Sequence, residues 1–242
     1  MKISVRRLRP AALALVVAAA CTDPATAAGP SFACAGARGA VETAICGSQT
    51  LAKLDVRIDA AYRRAMQGWS SDPATREELR FVQRRFLEDR ETALADPNGG
   101  LARHLEAQAI FLESLDTAPR AGFEGEWSNL AGAIRISREK AGLTLWGNAV
   151  EPIRFRWICD VEDLGVESGP TFVAPPEAVT PGYPGWSIRI DRVAGVARLL
   201  EVGPPGTETA PDGRALAQTP KCGHRGRFDG VYFPTRGRLR AN

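Results

Sequence analysis

Apolar positions follow two different rhythms along the chain. In the first half Leu51, Leu54, Ile58, Ala61 and Ala65 recur at three- and four-residue steps, one stripe of a helix of roughly 18 residues. Asp72-Pro73 pairs a capping carboxylate with a proline at the first helical position, which predicts a second helix with Leu79, Val82, Phe86, Ala93 and Leu94 facing a core. Asp96-Pro97-Asn98-Gly99-Gly100 is a break, because it combines a turn-forming carboxylate, a missing N–H and two unrestricted backbones. A third helix follows, with Leu101, Leu105, Gln108, Leu112 and Leu115 on one face. Short connections predict an up-down three-helix bundle.

The rhythm changes near Pro119. Ile134 and Ile136 alternate with Arg135 and Ser137, and Leu143 and Leu145 flank Thr144, with Glu139 to Gly142 as the turn between them. Ile153, Phe155, Trp157 and Cys159 share one face of the next expected strand. Ile188 and Ile190, then Val196, Leu200 and Val202, give two more around Ala194-Gly195, and Phe228 to Tyr232 the last. About six to eight short strands predict a small antiparallel β-barrel or sandwich. Gly165 to Pro184 and Gly203 to Pro220, rich in Pro and Gly, read as loops. The fold class is therefore α+β: a helical domain over 29–118 and a β-rich domain over 122–242.

Residues 1–28 read as an export signal. Lys2, Arg6, Arg7 and Arg9 form a basic start, Ala11 to Ala20 an apolar run too short to span a bilayer, and Ala25-Thr26-Ala27 a cleavage site. Ala18-Ala19-Ala20-Cys21 resembles a lipidation signal, so Cys21 is the alternative first mature residue, anchored in the envelope by lipid. The chain carries a net charge of +3, but the signal holds the surplus, and its removal leaves none. That excludes a nucleic-acid partner, because phosphate binding needs a surplus of fixed cations. The expected location is the periplasm or the medium.

Four cysteines remain after export: Cys34, Cys46, Cys159 and Cys222. An even count in an exported chain reads as disulfides, and one pair in each half predicts Cys34–Cys46 and Cys159–Cys222. Metal ligation by the first pair would need two further ligands, and the two histidines lie far along the chain. Cys222-Gly223-His224 offers no nucleophile if the sulfur is bridged.

The first half also carries a specific pattern. Phe32-Ala33-Cys34 is followed by Val41-Glu42-Thr43-Ala44-Ile45-Cys46, Leu51-Ala52-Lys53-Leu54-Asp55, Ala61-Tyr62 and Gln83-Arg84-Arg85-Phe86-Leu87, with Arg90 beyond. Over residues 31–92 this resembles the bacterial LprI-type lysozyme-inhibitor family. The resemblance implies an exported helical envelope protein that binds lysozyme or another envelope protein. Two features depart from the pattern: Phe86 stands where a Trp is usual, and the second cysteine pair of the family, after Arg90 and near the third helix, is missing.

Other residues have local readings. Glu42 sits in a first helical turn, where an anion suits the dipole, and Asp55 is a candidate ion-pair partner for Arg90. Both could instead form an acidic patch facing a cationic partner. Arg84, Arg85 and Arg90 lie among Glu88, Asp89 and Glu91, as on a salt-bridged solvated face. Gly125-Glu126-Trp127 resembles the opening of lipocalin-like barrels, and Trp127, Trp146, Trp157 and Trp186 are candidates either for a ligand cavity or for core. Hydrolase, metalloprotease, dinucleotide and phosphate-loop motifs are missing from the sequence. No catalytic residue, metal or cofactor is expected. The expected function is non-catalytic binding; the alternative is an envelope structural or small-ligand-binding protein acting through the β domain.

Overall fold

The structure, a computed structural model, describes residues 29–140, 142–175 and 185–237. The expected export signal, residues 1–28, and with it Cys21, lie outside the described residues.

Four helices form the first half, one more than the bundle expected. A 3-10 turn, Cys34–Gly36, leads into the short α1, Ala40–Cys46. Next come α2, Gln49–Gly68, α3, Pro73–Leu94, and α4, Gly100–Ser114. The ends are set locally. Asp72 accepts the Thr75 N–H (3.0 Å) and hydroxyl (2.7 Å) ahead of Pro73, satisfying donors that the first helical turn leaves free. Gly99 turns the chain into α4 at φ +74°, a conformation that costs glycine little. Leu54, Ile58, Ala61 and Ala65 of α2, Leu79 and Phe86 of α3, and Leu101, Leu105, Phe111 and Leu112 of α4 meet in one core.

The second half is a closed barrel of eight antiparallel strands in sequence order. They are β1 Gly125–Ser128, β2 Gly132–Glu139, β3 Gly142–Val150, β4 Ile158–Ser168, β5 Thr171–Ala174, β6 Ser187–Val193, β7 Val196–Val202 and β8 Gly230–Thr235. Trp127 opposite Pro234 closes the ring between β1 and β8, which leaves no free sheet edge among the described strands. The interior is filled by side chains, among them Trp127, Ile134, Leu145, Phe172, Ile190 and Tyr232.

Two strand expectations fail. Residues 151–157 make a turn, not a strand: Glu151 accepts the Arg154 N–H through its carboxylate, and Phe155 stands exposed at φ +53°. The alternation of Ile153, Phe155 and Trp157 is overridden by that capped turn. Conversely, the expected loop from Gly165 contains the end of β4 and all of β5. Gly165 is no breaker there: a Cβ on it would lie 2.3 Å from the Phe172 ring, so the glycine makes room for that ring in the interior.

The segment after β7 is fastened back onto the barrel. Cys222 is bonded to Cys159 on β4, and Lys221 forms a buried ion pair with Asp163 at 2.7 Å. Glu201 accepts from the Thr219 hydroxyl and from the Phe228 N–H.

The helices and the barrel share apolar contact. Val196 and Phe233 of the barrel belong to the helical core, and Phe233 packs against Trp69 (5.8 Å) and Phe111 (5.9 Å). Asp116 donates its N–H to the Pro234 carbonyl (2.8 Å), and Arg236 donates to that of Ser114 (2.9 Å). Further contacts join Gly195 N–H to the Thr75 hydroxyl (2.8 Å) and Arg198 to Glu78 (2.7 Å). The connecting segment is held as well: Arg192 donates to the carbonyls of Arg120 and Ala121, and the Arg120 guanidinium lies 5.0 Å over Trp127.

Candidate functional site

A groove of about 490 Å³ opens between α2 and α3 beneath the N-terminal segment. Helical spacing builds it. Asp55, Ile58, Asp59 and Tyr62 line one wall from α2, and Arg80, Gln83, Arg84, Leu87 and Arg90 line the other from α3. Both sets step by three and four residues, so each is one face of its helix. Phe32 and Phe86 complete the apolar part.

The N-terminal segment is tied down at two points. Ser31 donates its N–H (2.8 Å) and its hydroxyl (2.6 Å) to one oxygen of the buried Asp55. Three residues on, Cys34 is bonded to Cys46 at the end of α1. Asp55 thus secures backbone and is not ion-paired with Arg90, although both line the same groove. Glu42 has a local role: its carboxylate accepts the Gly39 N–H at 2.6 Å and closes the start of α1.

The arginines of α3 divide. Arg80 (3.1 Å) and Arg84 (3.3 Å) share the exposed Glu77, and Arg85 pairs with Glu88 at 3.4 Å. These are the solvated pairs expected of an exposed face, each worth little. Arg90 is half-buried, and its Nε is buried with no hydrogen-bond partner among the described residues.

Behind the groove, Gln83 accepts from the Gln108 amide at 2.8 Å, and His104 stacks on Phe86 with centroids 4.9 Å apart. Burial pushes the His104 pKa down, which favours the neutral ring. The four tryptophans do not converge. Trp127 is barrel core, Trp146 is exposed on the outer surface, Trp157 is at the edge of the interior, and Trp186 packs with Ala215 in a separate small cluster.

The sequence pairs Asp55 with Arg90 and puts Arg84 and Arg90 on a solvated face, but does not show that the three line one groove. It missed Asp59 and Arg80 as groove residues. Their spacing from Asp55 and Arg84, four residues in each case, was the available signal. Among the described residues no group of three or more His, Cys, Asp or Glu could hold a metal ion, and no helix is long and apolar enough to cross a membrane.

Residues 34–122 match the family model described as Lysozyme inhibitor LprI. The match runs from the 3-10 turn through all four helices and stops short of β1, so it contains all of the groove except Ser31 and Phe32. No curated protein matches the chain, and no solved structure does.

Proposed function

We propose that this protein is an exported, non-catalytic inhibitor of a lysozyme, acting in the periplasm or outside the cell. Its helical unit, residues 29–118, supplies the contact surface, and the barrel, residues 122–242, carries that unit. The observation behind the reading is the coincidence of the family match with the complete helical unit. Inhibition would follow from occlusion: a rigid, disulfide-tied surface that covers the enzyme's cleft blocks substrate without any chemistry of its own. Rigidity matters because ordering a loop on binding costs affinity. Both tethers of the N-terminal segment, Asp55 with Ser31 and Cys34 with Cys46, supply it.

Steady-state lysozyme assays with purified residues 29–242 test the reading, with the separate helical and barrel units as further samples. Inhibition should appear with the full chain and with 29–118, and not with 122–242. A ligand-carrying barrel is the second reading, and it would require side chains such as Phe172 and Tyr232 to vacate an interior they now fill.

A further inference from the structure

The groove between α2 and α3 holds one cation whose charge the fold has not used. Asp55 is engaged by Ser31. Asp59 accepts from Arg63 at 2.9 Å, and Arg80 and Arg84 share Glu77. Arg90 has no ion-pair partner within 4 Å among the described residues, and its Nε is a buried donor without an acceptor. The Arg90 side chain is only half-buried and lines the groove, so its terminal N–H groups, which have no ion-pair partner among the described residues either, are the donors that a ligand's acceptor meets. A guanidinium offers parallel N–H groups in a planar fork, the shape that a carboxylate accepts at two oxygens. Apolar surface lies beside it: Leu87 is exposed on the same wall, and the half-buried Phe32 lines the same groove.

We propose that Arg90 is the anchor of a carboxylate-binding site, which takes an acidic side chain flanked by an apolar residue on the surface of the protein partner. Asp55 and Asp59 face the same groove, so a doubly charged phosphate meets more repulsion than a single carboxylate does. The site deepens the inhibitor reading by naming what is recognised on the partner, and depends on that reading only for the partner's identity.

The test follows the Arg90 Nε–H resonance of isotope-labelled residues 29–242 during three titrations: acetyl-Leu-Glu-Phe-amide, acetyl-Leu-Gln-Phe-amide and inorganic phosphate. The Glu peptide should shift that resonance saturably and bind at least about tenfold tighter than the Gln peptide, as expected for hydrogen bonds to a charged acceptor. R90Q should lose the preference for Glu. R90K, which keeps the charge but not the fork, should fall between, and R85Q should bind within about twofold of the parent, because Arg85 pairs with Glu88 and does not line the groove. R90K also serves if R90Q fails to fold. Equal binding of the two peptides, saturation by phosphate alone, or no saturation by any probe overturns the proposal. Lysozyme assays on the same variants separate the two claims. Inhibition that survives in R90Q removes this site from the inhibitory surface and leaves the inhibitor reading standing. Glu-selective peptide binding without any inhibition retires lysozyme as the partner and leaves the site.

Discussion

Tyr232 and Phe233 are adjacent on β8 and are buried in two different cores: Tyr232 points into the barrel, and Phe233 points into the helices. A strand alternates its side chains between two faces, and here each face has its own hydrophobic layer. Phe233 is fully buried between Trp69 and Phe111. Phe233→Ala should therefore destabilise the protein by about 3–5 kcal/mol, the range for truncating a buried aromatic ring. Chemical denaturation followed by Trp fluorescence measures it. A loss below about 1 kcal/mol would mean that the helix–barrel contact adds little.

The same contact sets an expectation for the separated halves. We propose that 29–118 and 122–242 each fold, since each has its own core and its own disulfide. Each fragment exposes apolar surface that the intact chain buries, so each should melt below the full protein. Calorimetry on the two fragments decides it; if neither gives a cooperative transition, the division at 118–122 is not a domain boundary.

Cys34 and Cys46 are separated by 12 positions, and closing a loop of about that length restricts the unfolded chain by about 3 kcal/mol. The double variant Cys34→Ser/Cys46→Ser should lose about that much stability. It should also loosen the N-terminal segment, seen as faster amide exchange at Ser31, whose N–H is bonded to Asp55.

Glu201 gives the barrel a pH dependence. Burial pushes its carboxyl from 4.5 up to about 6, against the opposing hydrogen bonds from Thr219 and the Phe228 N–H. A pKa raised in the folded state means stability that is fully present below about pH 4.5 and is lost as pH rises through about 6. The loss amounts to about 2 kcal/mol for a shift of this size. Urea denaturation of the parent and of Glu201→Gln at pH 4.5, 6 and 7.5 should show a smaller fall with pH in the variant. Identical pH profiles would remove Glu201 as the cause. Asp163 and Asp229, also raised by burial, contribute in the same direction in both proteins.

Local signals in the sequence were read correctly where local physics decides the structure. Asp72-Pro73 and the Asn98-Gly99-Gly100 break fix helix ends through backbone groups a few residues away. Barrel against sandwich could not be read, because closure depends on the pairing of β1 with β8, about a hundred residues apart. Gly165 looked like a loop residue because the ring that needs its missing Cβ, Phe172, belongs to the following strand. Gly165→Ala should accordingly cost about 1–3 kcal/mol by overpacking, readable by the same urea titration. The groove was half legible: the faces of α2 and α3 follow from spacing. The tie from Ser31 to Asp55, 24 positions apart, and the unpaired state of Arg90 follow only from the packed helices.

The central claim is that the helical unit inhibits a lysozyme, and residual enzyme activity against increasing concentrations of residues 29–242 tests it most directly. The helical half has only a slight excess of acidic over basic residues, so long-range attraction to a basic enzyme is weak and screened by salt. Affinity must come from a buried contact centre. The predicted result is saturable inhibition, retained by 29–118 and reduced only mildly as salt rises from low to physiological strength. Full enzyme activity at a large molar excess of the protein, across several lysozyme classes, would contradict the account.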